Sequence, residues 1–348
     1  MSELQSGLLV IGIVVVIAVY SYGAWQQWQY RRKYGSLFQS SKHEDVLHPP
    51  VIHTADVLVA EEGIQPSPTL FKDEICSLIS DQFDSIVHLV PQSPLTSATL
   101  DPFWKRRFDF GKSVVVCGLN AANKSWERLI PDSPQLYNEF KLALQLADRS
   151  GPVSELRLKE FQSALRGIAT QIQAKIDMHS AEDVFARALE LDKFCVEVDH
   201  LIGLNLLPGN DRKIFGSEIA RIANARRLSL QSDGAFYLTD NNGCTLCKMC
   251  DMENRPFQHH TLNQLRFRGL TLLLDVPRVA QPVAQFDIMV QLARTLSDDF
   301  HAALVDDHGV ALGAEALAQI RAQVGNVENR ILAGGVTPGS TQALRLFS

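Results

Sequence analysis

Cys244, Cys247 and Cys250, with His259 and His260 close behind them, form the densest set of metal-competent side chains in the sequence. Thiolates at such short spacing can hold zinc or seed an iron–sulfur cluster. The segment also reads as the return strand of a hairpin turning at Asp240-Asn-Asn-Gly243, and alternate side chains of a strand face opposite ways. On that reading Cys247 points away from Cys244 and Cys250, and the three become small thiols that cannot share one ion. A membrane-anchored metal-thiolate or redox module using Cys244, Cys247 and Cys250 stays as the alternative function.

Other chemical sets are weaker. Asp306-Asp-His308 places carboxylates beside an imidazole, but Gly309 follows and the segment reads as a solvated turn. Gly334-Gly335 lacks the preceding strand and the Lys and Ser/Thr that a phosphate loop needs. With no nucleophile and base to pair, the sequence points to a non-enzymatic protein without a cofactor or a small-molecule substrate. Lys105-Arg-Arg107 and Arg226-Arg227 read as solvated faces, the first also able to touch acidic lipid or the acidic part of a partner.

The elements that must position these residues begin with a membrane anchor. Residues 7–25 carry no charge in 348 residues that are otherwise 21% charged. At 1.5 Å per residue they cover roughly 28 Å, the thickness of a bilayer's hydrocarbon. Tyr20, Tyr22, Trp25, Trp28 and Tyr30 fall where an interfacial aromatic belt belongs, and Arg31, Arg32 and Lys33 follow directly. Basic residues on that flank alone predict residues 1–6 in the periplasm and everything after residue 30 in the cytoplasm. Six scattered cysteines suit a reducing compartment. A net charge of −6 and a pI near 5.9 give no general attraction for phosphate backbones, which disfavours a nucleic-acid partner.

Residues 26–74 predict a basic juxtamembrane segment and a flexible tether broken by Pro49, Pro50, Pro66 and Pro68. Residues 75–185 predict a degenerate α+β domain: strands at Ile86–Val90, Ser113–Val116 and Phe140–Leu146, then a helix at Glu155–Ile172. Residues 190–348 predict a second domain with the same order of parts. Its strands fall at His200–Leu207, Leu270–Val276 and Ala303–Val305, and its helices at Ser217–Leu228, Val283–Phe300 and Ala314–Val324. Residues 144–153 align with 274–283 before a helix in both blocks, as a degenerate internal repeat would. The fold class is therefore α+β: antiparallel sheets with helices packed on one face, of split β-α-β type in the second block.

A sheet covered on one side alternates apolar and polar along each strand. Leu272 and Leu274 then face the helices and leave Thr271, Leu273 and Asp275 outside. Ile202, Leu204 and Leu206 face inward and leave Leu201, Gly203 and Asn205 outside. Phe236, Leu238 and Met252 either extend the outer row or, for Phe236 and Leu238, belong to the core. A contiguous apolar patch of this kind marks a partner site.

Four segments carry a family resemblance: Arg268-Gly-Leu-Thr-Leu-Leu-Leu-Asp-Val-Pro-Arg278, Phe286-Asp-Ile-Met289, Ala303-Leu-Val-Asp-Asp307 and the terminal Pro338-Gly-Ser-Thr-Gln-Ala-Leu-Arg-Leu-Phe-Ser348. They resemble the FtsZ-binding C-terminal domain of the bacterial cell-division ZipA family, whose layout of membrane helix, basic run, tether and α+β domain this chain is similar to. The resemblance implies an adaptor at the division site of the inner membrane, whose open sheet face binds the C-terminal peptide of FtsZ and ties the division ring to the bilayer. It further implies that Leu201, Gly203, Phe236, Met252 and Leu273 line the cleft, with Leu238 adjacent. Gly203 stands where the family more often carries an aliphatic side chain, Leu273 is smaller than an aromatic, and the middle of the chain looks folded rather than Pro/Gln-rich.

Overall fold

The computed structural model describes residues 79–131, 133–241 and 243–348. The expected membrane helix, tether and periplasmic N-terminus lie outside the described residues, and so does the start of the first α+β block. Among the described residues no helix is long and apolar enough to cross a membrane.

Two runs of secondary structure follow one another. The first comprises β1 (Asp84–Val90), α1 (Asp101–Arg106), β2 (Val114–Asn120), β3 (Trp126–Arg128), β4 (Leu136–Gln145), α2 (Glu155–Gln171), β5 (Lys175–Met178) and α3 (Ala181–Val198). The second comprises β6 (Leu201–Pro208), α4 (Gly216–Ala225), β7 (Phe236–Thr239), β8 (Thr245–Asp251), β9 (Leu270–Asp275), α5 (Pro282–Phe300), β10 (Ala302–Val305) and α6 (Ala314–Ala333), before a terminal α7 (Thr341–Leu346). Element for element the order is the same.

The sheets agree as well. The first runs β3-β2-β4-β1-β5 and the second β7-β8-β9-β6-β10, each made six-stranded by a two-residue strand, Leu95–Thr96 and Ser229–Leu230 respectively. Each named pairing is antiparallel. One difference separates them: in the first sheet the leading arm of the edge hairpin lies against the central strand, in the second the trailing arm does. An antiparallel α+β architecture, expected from the patterning, is what the chain adopts.

Local chemistry explains where the helices start. Ser154, Ser180 and Ser340 each sit in extended backbone and accept, through their side chains, the N–H of Arg157, Asp183 and Ala343, satisfying donors that a helix start leaves open. In α5 the apolar positions Phe286, Met289, Leu292, Ala293, Leu296 and Phe300 recur at helical spacing and are all buried. They lie over β6, β8, β9 and β10, whose Leu204, Leu206, Met249, Leu270, Leu272 and Leu274 are buried as well. The expected helix ending at Val324 runs on to Ala333, because Val327 and Ile331 continue its buried stripe.

The described residues all fall within one compact unit. Arg149, just after β4, donates to both carboxylate oxygens of Asp275 at 2.9 and 2.8 Å and to Asp199 at 2.6 to 3.2 Å. Burial opposes charge on Arg149, but its hydrogen bonds to Asp275 and Asp199 outweigh it and hold the guanidinium more firmly protonated than usual. Across the same boundary Arg345 of α7 pairs with the fully buried Asp84 of β1 at 2.6 Å, and Gln145 donates to the Arg345 carbonyl at 2.9 Å.

Candidate functional site

The second sheet has one covered and one open face, and cross-strand register shows which side chains share each. Directly opposed residues lie on the same face. Leu273 opposes Gly203 on one side and Lys248 on the other; Thr271 opposes Asn205 and Cys250; Asp275 opposes Leu201; Lys248 in turn opposes Tyr237. All of these alternate with Leu270, Leu272 and Leu274, which are wholly buried under α5. Leu201, Gly203, Leu207, Tyr237, Lys248, Cys250, Thr271 and Leu273 are each part-exposed, so this is the open face.

Its floor is low at Gly203. A β-carbon there would meet the Leu273 Cδ2 at 3.5 Å and the Thr271 Cγ2 at 3.7 Å, ordinary contact distances, so the glycine leaves a shallow dip rather than a forced close approach. Polar locks bound the face at two ends. Thr271 donates its hydroxyl to the Asn205 side-chain oxygen Oδ1 at 2.7 Å, and the Asn205 Nδ2 donates to Asp307 at 2.9 Å. At the other end Asp275 is held by Arg149.

Of the six residues expected to line the cleft, Leu201, Gly203 and Leu273 lie together on the open face. Met252 follows β8 with the parity of Lys248 and Cys250; its N–H donates to the Gly269 carbonyl at 3.2 Å, and its sulfur and Leu207 flank Gly269. Phe236 and Leu238 do not join the outer row. Phe236 opposes the buried Met249 and packs against Phe257 with ring centroids 5.4 Å apart, and Leu238 opposes the buried Cys247. Both therefore lie on the covered side, the other of the two placements open from the sequence. Tyr237 takes the outward place; its hydroxyl donates to Asp233 at 2.6 Å, and burial, then that bond, push its pKa up to about 12. Tyr237, Lys248 and Cys250 are additional members of this face, which alternation carried from Leu273 through the hairpin would find.

Cys247 and Cys250 separate as strand alternation requires, and Cys244 precedes the strand. Cys244 is exposed, Cys247 is buried on the covered side, and Cys250 on the open face donates its thiol to the Thr271 carbonyl at 3.6 Å. Burial raises the Cys247 pKa to about 12 and that of Cys250 to about 11, which disfavours the thiolates that a metal needs. Among the described residues no three His, Cys, Asp or Glu side chains gather as a metal set. In the Asp306–Gly309 turn, Asp306 accepts the N–H of His308 and of Val310 at 2.9 and 2.8 Å, a structural use of the carboxylate.

What the open face can do chemically is bind: an apolar strip of Leu201, Leu273, Leu207 and Met252, with Lys248 and Tyr237 beside it. An extended peptide with apolar anchors and a nearby negative charge fits that composition. Residues 200–323 match the family model described as ZipA, C-terminal FtsZ-binding domain. No curated protein sequence matches the chain.

Proposed function

We propose that this chain is a membrane-anchored cell-division adaptor whose region 190–348, carrying the ZipA-type domain, takes the C-terminal peptide of FtsZ on the open face of the second sheet. In this reading residues 7–25 span the inner membrane, 1–6 lie in the periplasm, 26–74 form the tether and 75–185 an additional cytoplasmic α+β block at the division septum. The protein performs no catalysis. Leu201, Gly203, Leu273 and Met252 face the peptide, Tyr237 and Lys248 flank it, and Phe236 and Leu238 support the sheet from behind.

The observation that carries the reading is Leu273, part-exposed between Gly203 and Lys248 on a strand whose alternate residues are sealed under α5, within a segment matching an FtsZ-binding family. Burying one aliphatic or aromatic anchor is worth about 1.5–3 kcal/mol, and a micromolar complex needs about −8 kcal/mol net. A few anchors in this strip reach that range once ordering costs are offset. Many such weak contacts along one filament hold it by effective concentration, so no single tether need be tight.

Calorimetric titration of residues 67–348 with a peptide of the FtsZ C-terminus tests the reading. Leu273→Asp sets a charge against the apolar anchor, and binding should weaken by about a hundredfold or more while the fold persists. A folded Leu273→Asp protein that binds as tightly as the parent would contradict it.

A further inference from the structure

The first block holds a second site of different chemistry. Between α1 and the edge hairpin β2–β3 lies a cavity of about 340 Å³, in the size range of small-ligand sites. Val114, Val116 and Leu129 give it apolar walls, and Arg107 and Arg128 also line it. Trp104 completes the wall at 9% exposure, and its buried Nε1–H has no acceptor.

The cations are also available. Among the described residues neither Arg107 nor Arg128 forms an ion pair, although one Arg107 N–H donates to the Trp104 carbonyl at 2.6 Å, whereas Lys112 has its ammonium occupied by Asp148 at 2.5 Å, Ser150 at 2.8 Å and the Gly151 carbonyl at 2.7 Å. Phe108 and Ile130, also lining the cavity, are 77% and 65% exposed, and the Arg107 guanidinium lies 4.1 Å from the Phe108 ring centroid. On a chain of net charge −6, Arg107 and Arg128 set positive charge beside protruding apolar groups, with Lys105 adjoining, while Arg106 is paired with Asp109 at 3.4 Å.

We propose that this cavity seats the phosphodiester head group of an anionic phospholipid, with Phe108 and Ile130 entering the acyl layer beside it. Guanidinium forks match phosphate oxygens. Apolar walls and two exposed hydrophobic side chains match a head group embedded at an oily surface better than a free anion in water. The first block then lies against the bilayer, on a surface separate from the peptide face of the second sheet.

The test uses the full chain in nanodiscs of phosphatidylcholine alone, or of phosphatidylcholine and phosphatidylglycerol in equal parts, with hydrogen–deuterium exchange read over residues 101–131. These amides should exchange about fivefold more slowly, or slower still, in the anionic discs. That protection should vanish in Arg107→Glu/Arg128→Glu, shrink in Phe108→Ser and survive in the control Lys193→Glu, with exchange in β4 and α5 unchanged to report intact folding. Equal exchange in the two discs, or protection retained in the arginine double variant, overturns the proposal. Equal protection in neutral discs given inorganic phosphate assigns the site to a free anion, and equal protection given polyglutamate assigns it to an acidic peptide; either result overturns the lipid assignment.

Discussion

Cys250 lies two strands away from Gly203, on the face where the peptide is proposed to bind, and burial raises its pKa to about 11 against the lowering influence of Lys248. The folded-state thiol stays protonated until well above neutral pH. Alkylation at pH 8 should run about a hundredfold slower than for a thiol of ordinary pKa and rise about tenfold per pH unit until that value is approached. Mass spectrometry of the Cys250 peptide across a pH series checks it; a rate at pH 8 equal to that of an unstructured thiol would show that Cys250 is not held in this way. Leu273 was legible because β9 alternates without interruption, buried then part-exposed, across Leu270–Asp275. Phe236-Tyr-Leu238 offers three apolar-capable side chains in a row, so nothing in it marks a face. There the register comes from Asp240, whose N–H donates to the Cys244 carbonyl and whose carboxylate accepts the Cys244 N–H, and from a bulge between Leu238 and Thr239.

At the scale of the strand, β6 carries a glycine in its interior, which costs conformational entropy and leaves the floor of the open face unfilled. Since a β-carbon at Gly203 meets only ordinary contacts at 3.5 and 3.7 Å, Gly203→Ala should raise stability by about 0.5–1 kcal/mol, read as a higher denaturation midpoint at unchanged m-value. A fall in stability would mean that the backbone there needs glycine. The longer strands and helices were readable from their periods, but α3 was passed over: the expected helix stops at Ile172 and the next strand begins at His200. Its buried stripe of Val184, Ala188, Leu191 and Cys195 relies on two small side chains, a weak apolar signal. Ser180 followed by Asp183 is the cue that could have found it, since the hydroxyl of Ser180 accepts the Asp183 N–H.

Over the whole unit, two runs of the same element order are joined by charge pairs that no local pattern reveals, because their partners are far apart in sequence. Asp84 and Arg345 are the extreme case, one fully buried and the other 15% exposed at its side chain. Asp84→Ala leaves the guanidinium without its carboxylate and should cost about 3 kcal/mol, the lower end for breaking a buried pair since Arg345 keeps some contact with water. Urea unfolding of residues 67–348 measures it, and a loss below about 1 kcal/mol would show that the pair behaves as a surface one. The same pairs bear on fragments. Residues 190–348 alone would lose Asp84 opposite Arg345, and Arg149 opposite Asp199 and Asp275, so comparisons of binding belong on the 67–348 unit.

The claim on which the rest turns is that an FtsZ tail lies along Leu201, Gly203 and Leu273, and amide and methyl chemical-shift mapping of residues 67–348 with that peptide tests it most directly. The account predicts shifts concentrated on β6, β8 and β9, strongest at Gly203, Lys248 and Leu273, with the α5 side of the sheet and the Trp104 cavity quiet. Shifts confined to other surfaces, or none at peptide concentrations well above micromolar, would contradict it.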